Sequence, residues 1–314
     1  MKTAHTALHS DRGFLRELAG NRQIYLMALP GLLFFLVFSY FPLYGLQLAF
    51  KNFNAARGIF GSPWVGFENF KSYFGTMYFA RTTCNTLFLN SLFIVTLQGF
   101  SLLMALLINE VRSRVLMRAY QSALFFPYFI SWIIVSAITY NLFNEQTGTL
   151  NGLLASLGME PVMWNYDGDL WVVILTIANM WKNMGFQIII YLAAITAIDE
   201  QQYEAARIDG AGKARVMWHI TLPHLLPTVM TMLILSLGKI FYGNFDMIYA
   251  LVRDNGQLLA RTDVIDTFVY RTLAVTGDTG AAAAVGLYQS LLGFVLVMMA
   301  NRLSAKYAEG FGLY

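Results

Sequence analysis

The sequence predicts an all-α, polytopic membrane protein with about six transmembrane helices and one cytoplasmic helix-turn-helix. Three observations predict this fold class: hydrophobic residues make up 57% of the 314 residues, charged residues make up only 12%, and long apolar runs recur along the chain. Soluble domains carry about 25% charged residues, and a helix that crosses a bilayer needs about 20 consecutive apolar residues. The composition therefore excludes a soluble globular protein.

Six apolar runs are long enough to cross a bilayer. They lie at residues 24–50, 85–109, 119–143, 170–198, 225–250 and 281–303. We expect them to form one transmembrane domain at 24–303, between an N-terminal tail at 1–23 and a C-terminal tail at 304–314. The first run continues past Phe38 without a small-residue cleavage site, so it predicts a span rather than a cleaved signal peptide.

The distribution of Lys and Arg predicts the orientation. With the N-terminus in the cytoplasm, the inside segments carry 12 of these residues and the outside loops carry 7. Residues 144–169 carry four acids and no Lys or Arg. Because cytoplasmic loops are enriched in positive charge, we expect both termini in the cytoplasm. The polar segment at 199–223, called the cytoplasmic loop below, then faces the same side.

The cytoplasmic loop predicts two short helices at an angle. Asp199 is placed to cap the first helix, and Gly210 falls where a helix end favours a left-handed residue. A second helix fits 213–220, and Pro223 is expected to stop it because the residue before a proline disfavours helical geometry. The alternative is an amphipathic connector that lies on the lipid surface.

The loop contains Glu-Ala-Ala-x-x-Asp-Gly-Ala and, after eight further residues, Ile-x-Leu-Pro. This pattern resembles the EAA loop of ABC-importer permeases. The resemblance implies a coupling helix that docks into a cleft of a separate ATPase subunit, through the matching residues Glu204, Ala205, Ala206, Asp209, Gly210, Ala211, Ile220, Leu222 and Pro223.

The cytoplasmic loop is not expected to bind nucleotide itself. Gly210-Ala-Gly-Lys213 shows a superficial likeness to a phosphate-binding loop. A P-loop, however, needs Gly-x-x-x-x-Gly-Lys-Ser/Thr after a strand. We therefore expect no cofactor in this chain, with ATP and Mg held by two partner ATPase subunits.

Other segments resemble the carbohydrate-importing permeases, specifically their polysaccharide-type branch, to which the alginate oligosaccharide importer belongs. They are Leu29-Pro-Gly31, Phe41-Pro-Leu-Tyr-Gly45, Gly61-Ser-Pro-Trp-Val-Gly-Phe-Glu-Asn-Phe70, Phe126-Pro-Tyr-Phe-Ile-Ser-Trp132 and Gly148-Thr-Leu-Asn-Gly152. The resemblance implies an oligosaccharide substrate, an extracytoplasmic binding protein that delivers it, and a second, related permease subunit. It also implies that the chain lies in the inner membrane of a bacterial cell.

An oligosaccharide needs aromatic rings for its apolar faces and hydrogen-bonding groups for its hydroxyls, in a cavity near the bilayer midplane. The fourth and fifth runs carry such residues, and the candidate substrate-pathway residues are Asn179, Lys182, Asn183, Phe186, Lys239, Tyr242, Asn244, Phe245 and Asp246. Asn244-Phe245 resembles an Asn-Phe element of the sugar site in the maltose-transporter member. Seven residues separate Lys239 from Asp246, which would place them on one face of a continuous helix. The alternative role of these polar groups is hydrogen bonding between helices.

Two lysines in one cavity would favour an anionic sugar such as a uronate chain. The alternatives are a neutral oligosaccharide or glycoside and, with less support, an intramembrane enzyme of the glycosyltransferase type, for which Asp167 and Asp169 could mimic a metal-binding pair. No catalytic motif is visible in the sequence, and a single cysteine, Cys84, excludes a CxxC metal site. The net charge of +3 is too small to indicate nucleic acid binding.

Overall fold

A computed structural model of the protein describes residues 21–307, so the ends of both predicted tails lie outside the described residues. Its α-helices are α1 (Arg22–Phe35), α2 (Gly58–Gly61), α3 (Glu68–Phe74), α4 (Met77–Asn109), α5 (Arg114–Phe125), α6 (Trp132–Phe143), α7 (Thr149–Ser156), α8 (Gly168–Thr196), α9 (Glu200–Ile208), α10 (Lys213–Val216), α11 (Leu222–Leu237), α12 (Phe245–Val252), α13 (Leu259–Thr262), α14 (Ile265–Ala274) and α15 (Thr279–Tyr307). Three 3₁₀ segments (Phe41–Phe50, Phe126–Phe129 and Trp164–Tyr166) and two π-helical turns (Leu36–Tyr40 and Met217–Thr221) complete the helical structure. The all-α prediction is confirmed.

Within residues 21–307, five helical segments are long and apolar enough to cross a membrane, and a bent pair supplies a sixth span. The five are Arg22–Phe50, Met77–Asn109, Gly168–Thr196, Lys213–Leu237 and Thr279–Met299. The prediction of about six spans is therefore confirmed, although the third and fifth spans differ from the predicted runs.

The third span is not the straight helix predicted at 119–143. Arg114–Phe129 and Trp132–Phe143 meet at an angle of 99°. Pro127 lies in the 3₁₀ turn before the bend, where its missing N–H interrupts the helical hydrogen bonds. Ser131 restarts the helix, because its hydroxyl accepts a hydrogen bond from the Ile134 N–H at 3.4 Å.

The fifth span ends at Leu237, well before the predicted end at residue 250. Residues 238–244, called the span break below, are not helical, and α12 begins only at Phe245. Gly243 permits the chain to pass close to a neighbouring segment, since a Cβ at this position would lie 2.9 Å from the Val264 Cγ2 atom. The prediction that Lys239 and Asp246 share one helix face is consequently wrong.

Pro223 does not stop the second helix of the cytoplasmic loop. The helix runs continuously from Lys213 to Leu237, and Leu222, just before the proline, is itself helical (φ −64°, ψ −44°). The π-helical turn Met217–Thr221 precedes the proline and widens the helix by one residue. The wider turn accommodates a residue that lacks an N–H donor and crowds the preceding turn.

The core lies between α4, α8 and the helices that pack on them. One cluster joins Leu89, Trp171, Leu175 and Met247. A second cluster joins Ala105, Ile188, Tyr191 and Leu225, and a third joins Tyr73, Phe241, Ile265 and Val285. By contrast, α1 has no buried residue. A helix with an exposed apolar surface on every side is typical of a span that contacts lipid or another subunit.

Candidate functional site

The cytoplasmic loop forms a helix-turn-helix. The Asp199 carboxylate caps α9 by accepting a hydrogen bond from the Gln201 N–H at 3.0 Å. At the other end of α9, Gly210 is left-handed (φ +72°). The Ala211 N–H donates to the Ala206 carbonyl at 2.9 Å and the Gly210 N–H to the Arg207 carbonyl at 3.1 Å. This pair of bonds is a Schellman motif, so the predicted role of Gly210 as the helix terminator is confirmed.

The EAA-type residues divide between two faces of the loop. Glu204, Ala205, Asp209, Gly210 and Pro223 are exposed, whereas Ala206, Ala211, Ile220 and Leu222 are partly buried. Two large apolar side chains stand beside the exposed group, Ile208 at 86% exposure and Trp218 at 65%. A small-residue surface with exposed apolar anchors at its edge is suited to docking against another protein.

Side-chain contacts connect the loop to the spans. The Tyr203 and Thr221 hydroxyls lie 3.1 Å apart, which joins α9 to the turn that leads into the fifth span. Lys213 pairs with Glu110 at the end of α4. Between these contacts lies a cavity of about 600 Å³, bordered by the ends of α4 and α8 and by the loop. A displacement of the loop would therefore be transmitted to several spans.

A second cavity of about 280 Å³ lies inside the bundle of spans. It is lined from α4, α8, the bend of the third span and the span break, by Asn90, Phe93, Ile94, Leu97, Tyr128, Asn179, Asn183, Phe186, Gln187, Ser236, Lys239, Ile240, Tyr242 and Asn244. Gln187 is only 8% exposed, and within residues 21–307 its side-chain oxygen has no hydrogen-bond partner. Amide, hydroxyl and ammonium groups set among apolar and aromatic side chains fit a ligand that carries hydroxyl groups on apolar rings.

Comparison with known proteins identifies the family. Residues 99–309 match the model of the binding-protein-dependent transport system inner membrane component. The protein LplB of Bacillus subtilis (strain 168) is 38% identical over 94% of this chain and 92% of its own length. The polygalacturonan/rhamnogalacturonan transport system permease protein YteP of the same strain is 36% identical, over 96% of this chain and 92% of its own.

A solved structure agrees with this result. It is the bacterial alginate ABC transporter in complex with an alginate pentasaccharide-bound periplasmic protein. The matching chain has a TM-score of 0.85 and 32% identity, with 94% of this chain and 98% of that chain covered. This chain belongs to the family of binding-protein-dependent permeases. It is thus a multi-pass membrane protein, and its relatives are transport subunits.

The permease brings six of the nine candidate substrate-pathway residues to the wall of the inner cavity. These six are Asn179, Asn183, Phe186, Lys239, Tyr242 and Asn244. The remaining three, Lys182, Phe245 and Asp246, lie elsewhere. Asn90 and Ser236 also line the cavity but were not predicted. An asparagine within an apolar span is a signal that could have identified Asn90, because polar groups are costly in the bilayer.

Lys182 contacts the bend of the third span and not the cavity. Its ammonium donates a hydrogen bond to the Tyr128 carbonyl at 2.7 Å. It also lies 5.4 Å from the ring centroids of both Tyr128 and Trp132. The carbonyl, left without a helical partner at the bend, and the two rings together stabilise a buried cation. The expectation that two lysines face one cavity is therefore wrong, because Lys239 lines the cavity and Lys182 does not.

Phe245 and Asp246 begin α12 next to the cavity. Phe245 stacks on Tyr249, with ring centroids 5.2 Å apart and an interplanar angle of 10°, and it also contacts Tyr270. Asp246 is exposed. The opposite face of α12 is buried through Met247 and Ile248. The three rings form an aromatic group that directly follows the cavity residue Asn244 along the chain.

Asp167 and Asp169 do not form the metal-binding pair of the enzyme alternative. The Asp167 carboxylate caps α8, where it accepts from the N–H groups of Asp169 at 2.8 Å and Leu170 at 3.1 Å. Asp169 pairs with the Arg261 side chain at 2.8 Å. Both acids therefore have a structural partner, and neither faces the inner cavity.

Proposed function

We propose that this permease is the membrane-spanning subunit of an ATP-driven importer of oligosaccharides, with acidic oligosaccharides as its substrates. The observation that carries the proposal is the combination of an exposed EAA-type loop with a cavity lined by amide and aromatic side chains, joined by one continuous helix. The helix Lys213–Leu237 contains 25 residues and spans about 37 Å at 1.5 Å per residue. It connects the loop directly to the span break, which supplies several lining residues.

The partners follow from this role. We infer two cytoplasmic ATPase subunits that hold ATP and Mg, an extracytoplasmic binding protein that delivers the sugar, and a second, related permease. The exposed apolar surface of α1 supports a subunit or lipid contact, and the exposed Ile208 and Trp218 support docking of an ATPase. The alginate transporter was solved with a periplasmic protein. We infer that the loop and both termini lie in the cytoplasm.

The transport cycle follows from the same geometry. Closure of the ATPase dimer on ATP would draw the coupling loops together and turn the inner cavity outward, where the binding protein releases its sugar. Hydrolysis would reverse the movement. Because the loop contacts α4 through Lys213 and Glu110 and continues into the fifth span, both walls of the cavity would move with it.

An acidic substrate is favoured by Lys239. Its side chain lines the cavity and is exposed, and within residues 21–307 no carboxylate pairs with it. A lysine without an acidic partner in a pathway through the membrane is expected to bind an anionic group. A solved ABC transporter that this chain resembles is described as importing the acidic polysaccharide alginate, and the relative YteP is described as a polygalacturonan/rhamnogalacturonan permease.

Replacing Lys239 by glutamine is expected to reduce transport of acidic oligosaccharides by about tenfold, because a charge-assisted hydrogen bond is lost. Transport of a neutral oligosaccharide of equal length should change by less than about twofold. The measurement is ATP-dependent uptake into proteoliposomes that contain the whole complex and its binding protein. Lys239→Arg, which retains the charge, is the matched control. A wild-type complex that prefers neutral glucans to uronate chains would refute the acidic substrate.

The importer function itself is tested by the same preparation. The complex is purified with its binding protein, and the saccharides that the binding protein retains are identified. Uptake of these saccharides should require ATP and the binding protein together. Uptake that continues without ATP would exclude an ATP-driven importer.

A further inference from the structure

The span break at 238–244 exposes backbone polar groups inside a bundle of membrane helices. Non-helical backbone at membrane depth is tolerated only where protein or a water-filled cavity satisfies its N–H and carbonyl groups. The break bonds partly to itself, since the Tyr242 N–H donates to the Lys239 carbonyl at 2.9 Å. Four further backbone groups of the break are bound by side chains from other segments, including the Tyr242 carbonyl, which accepts from the Asn90 side chain at 3.4 Å.

Two buried amides bind consecutive carbonyls of the break. The Asn90 side chain in α4 donates to the Ile240 carbonyl at 2.7 Å. The Gln289 side chain in α15 donates to the Phe241 carbonyl, also at 2.7 Å. Asn90 is 5% exposed and Gln289 is 4% exposed. The second and sixth spans are thereby fixed to the break at adjacent residues.

A carboxylate binds the break through a backbone N–H, whereas the two amides bind carbonyls. Asp266 in α14 accepts a hydrogen bond from the Gly243 N–H at 2.5 Å, and its other oxygen accepts from Gln289 at 2.9 Å. Burial raises the pKa of the Asp266 carboxyl above its ordinary value, and the hydrogen bonds from Gln289 and Gly243 oppose that rise. Burying a carboxylate is unfavourable unless it is hydrogen-bonded. The Gly243 N–H and the Gln289 amide provide these hydrogen bonds.

The bound backbone groups belong to the same short segment as the side chains that line the cavity. Lys239, Ile240, Tyr242 and Asn244 line the cavity, and the side chains of Asn90, Gln289 and Asp266 bind backbone groups of residues 240–243. We propose that Asn90, Asp266 and Gln289 are positioning residues that fix the span break and thereby set the selectivity of the cavity for its sugar. This inference rests on the proposed function for the sugar, but the tether itself can be tested without any sugar.

The transport test removes the tether that does not line the cavity. Gln289→Leu leaves the buried Phe241 carbonyl without its donor, so uptake of the substrate should fall about tenfold. Binding-protein-stimulated ATP hydrolysis should change by less than about twofold, because Gln289 lies away from the cytoplasmic loop. The ratio of acidic to neutral oligosaccharide uptake should shift as well, which a purely structural role would not produce.

Two glycines within the break provide a matched pair. Gly243→Ala would place a methyl 2.9 Å from the Val264 side chain and 3.2 Å from the Asp266 carboxylate, and it should reproduce the transport defect. At Gly238 the nearest atoms to an added methyl are 3.4 Å to 3.6 Å away. Gly238→Ala should therefore transport at the wild-type rate.

The sugar-independent test uses cysteine labelling. Cys84 is exposed, so Cys84→Ser provides the background, and Ile240→Cys places a thiol at a position that is 7% exposed. Adding Gln289→Leu should raise the rate of maleimide labelling at residue 240 about tenfold. A thiol placed at the fully buried Leu225 should keep its slow rate, which shows that the remaining fold is intact.

The outcomes separate the two proposals. Faster labelling at 240 alone, with reduced uptake and near-normal ATP hydrolysis, supports the tether. Unchanged labelling at 240, equal acceleration at 225, or loss of uptake and ATP hydrolysis in parallel overturns it. A wild-type complex that transports no oligosaccharide refutes the proposed function, while the labelling result still decides the tether.

Discussion

Replacing Gly210 by proline is expected to abolish ATP-driven uptake and substrate-stimulated ATP hydrolysis while the permease still inserts into the membrane. Gly210 has φ +72°, whereas proline fixes φ near −65°. Proline would also remove the N–H that donates to the Arg207 carbonyl at 3.1 Å. The turn between α9 and the long helix would open, and the loop could no longer present its EAA-type surface to an ATPase.

The measurement compares membrane insertion, assembly with the ATPase and ATP-dependent uptake. Gly212→Ala is the matched control, because Gly212 has an ordinary φ of −72° and no atom lies within 4 Å of an added methyl. This control should retain uptake within about twofold, as surface substitutions away from special features usually do. Wild-type uptake in Gly210→Pro would contradict the coupling role of the loop.

A charge reversal tests the same surface without altering the backbone. Glu204 is exposed and, in the part of the chain that the structure describes, has no ion-pair partner. Glu204→Lys should weaken assembly with the ATPase by about tenfold or more, because like charges would meet if a basic group binds Glu204. Gln202→Lys adds a positive charge about 200° away around α9 and should assemble normally. Equal assembly of both variants would exclude Glu204 as a docking residue.

The apolar runs predicted the number of spans because a bilayer imposes a length that composition alone can reveal. They failed at the third and fifth spans, where the chain stays apolar but the helix does not continue. The partners that make the fifth break possible are remote in sequence: Asn90 lies 150 residues from Ile240, and Gln289 lies 48 residues from Phe241. Contacts of that separation have no local pattern in the sequence.

The candidate site, like the fold, was predicted from the sequence only in part. Polar residues in the fourth and fifth runs correctly indicated a cavity wall, since polar groups are rare in spans without a reason. The direction in which each of these side chains points was not predictable from the sequence. Lys182 and Asn183 are neighbours in sequence, yet Lys182 binds the Tyr128 carbonyl and Asn183 lines the cavity. About 100° of helix rotation per residue separates a lining residue from a packing residue.

Replacing Gly185 by alanine is expected to have the largest effect on stability. It lies on α8 at the point where that helix meets the third span just before the bend. A Cβ at residue 185 would lie 2.1 Å from the Leu124 carbonyl oxygen and 2.6 Å from the Phe125 Cα. Both are backbone atoms, so no change of side-chain rotamer can relieve the overlap.

Gly185→Ala is therefore expected to destabilise the permease by about 3 kcal/mol, at the upper end of overpacking effects. Its unfolding midpoint in detergent should fall by roughly 5 °C or more, and uptake should be lost. Thermal unfolding followed by size-exclusion chromatography measures the effect. Gly99→Ala, also within a span but with no atom inside 4 Å of the added methyl, should unfold at or above the wild-type temperature.

The expected loss of uptake in Gly185→Ala has a specific structural cause. Lys182, three residues before Gly185, holds the Tyr128 carbonyl, and the Tyr128 ring stacks on Phe186 at the cavity wall, with centroids 5.2 Å apart. Pushing the third span away from α8 would separate these groups and open the cavity on one side. An alanine at 185 that leaves both the midpoint and the uptake unchanged would show that α8 and the third span do not pack as closely as the structure has them.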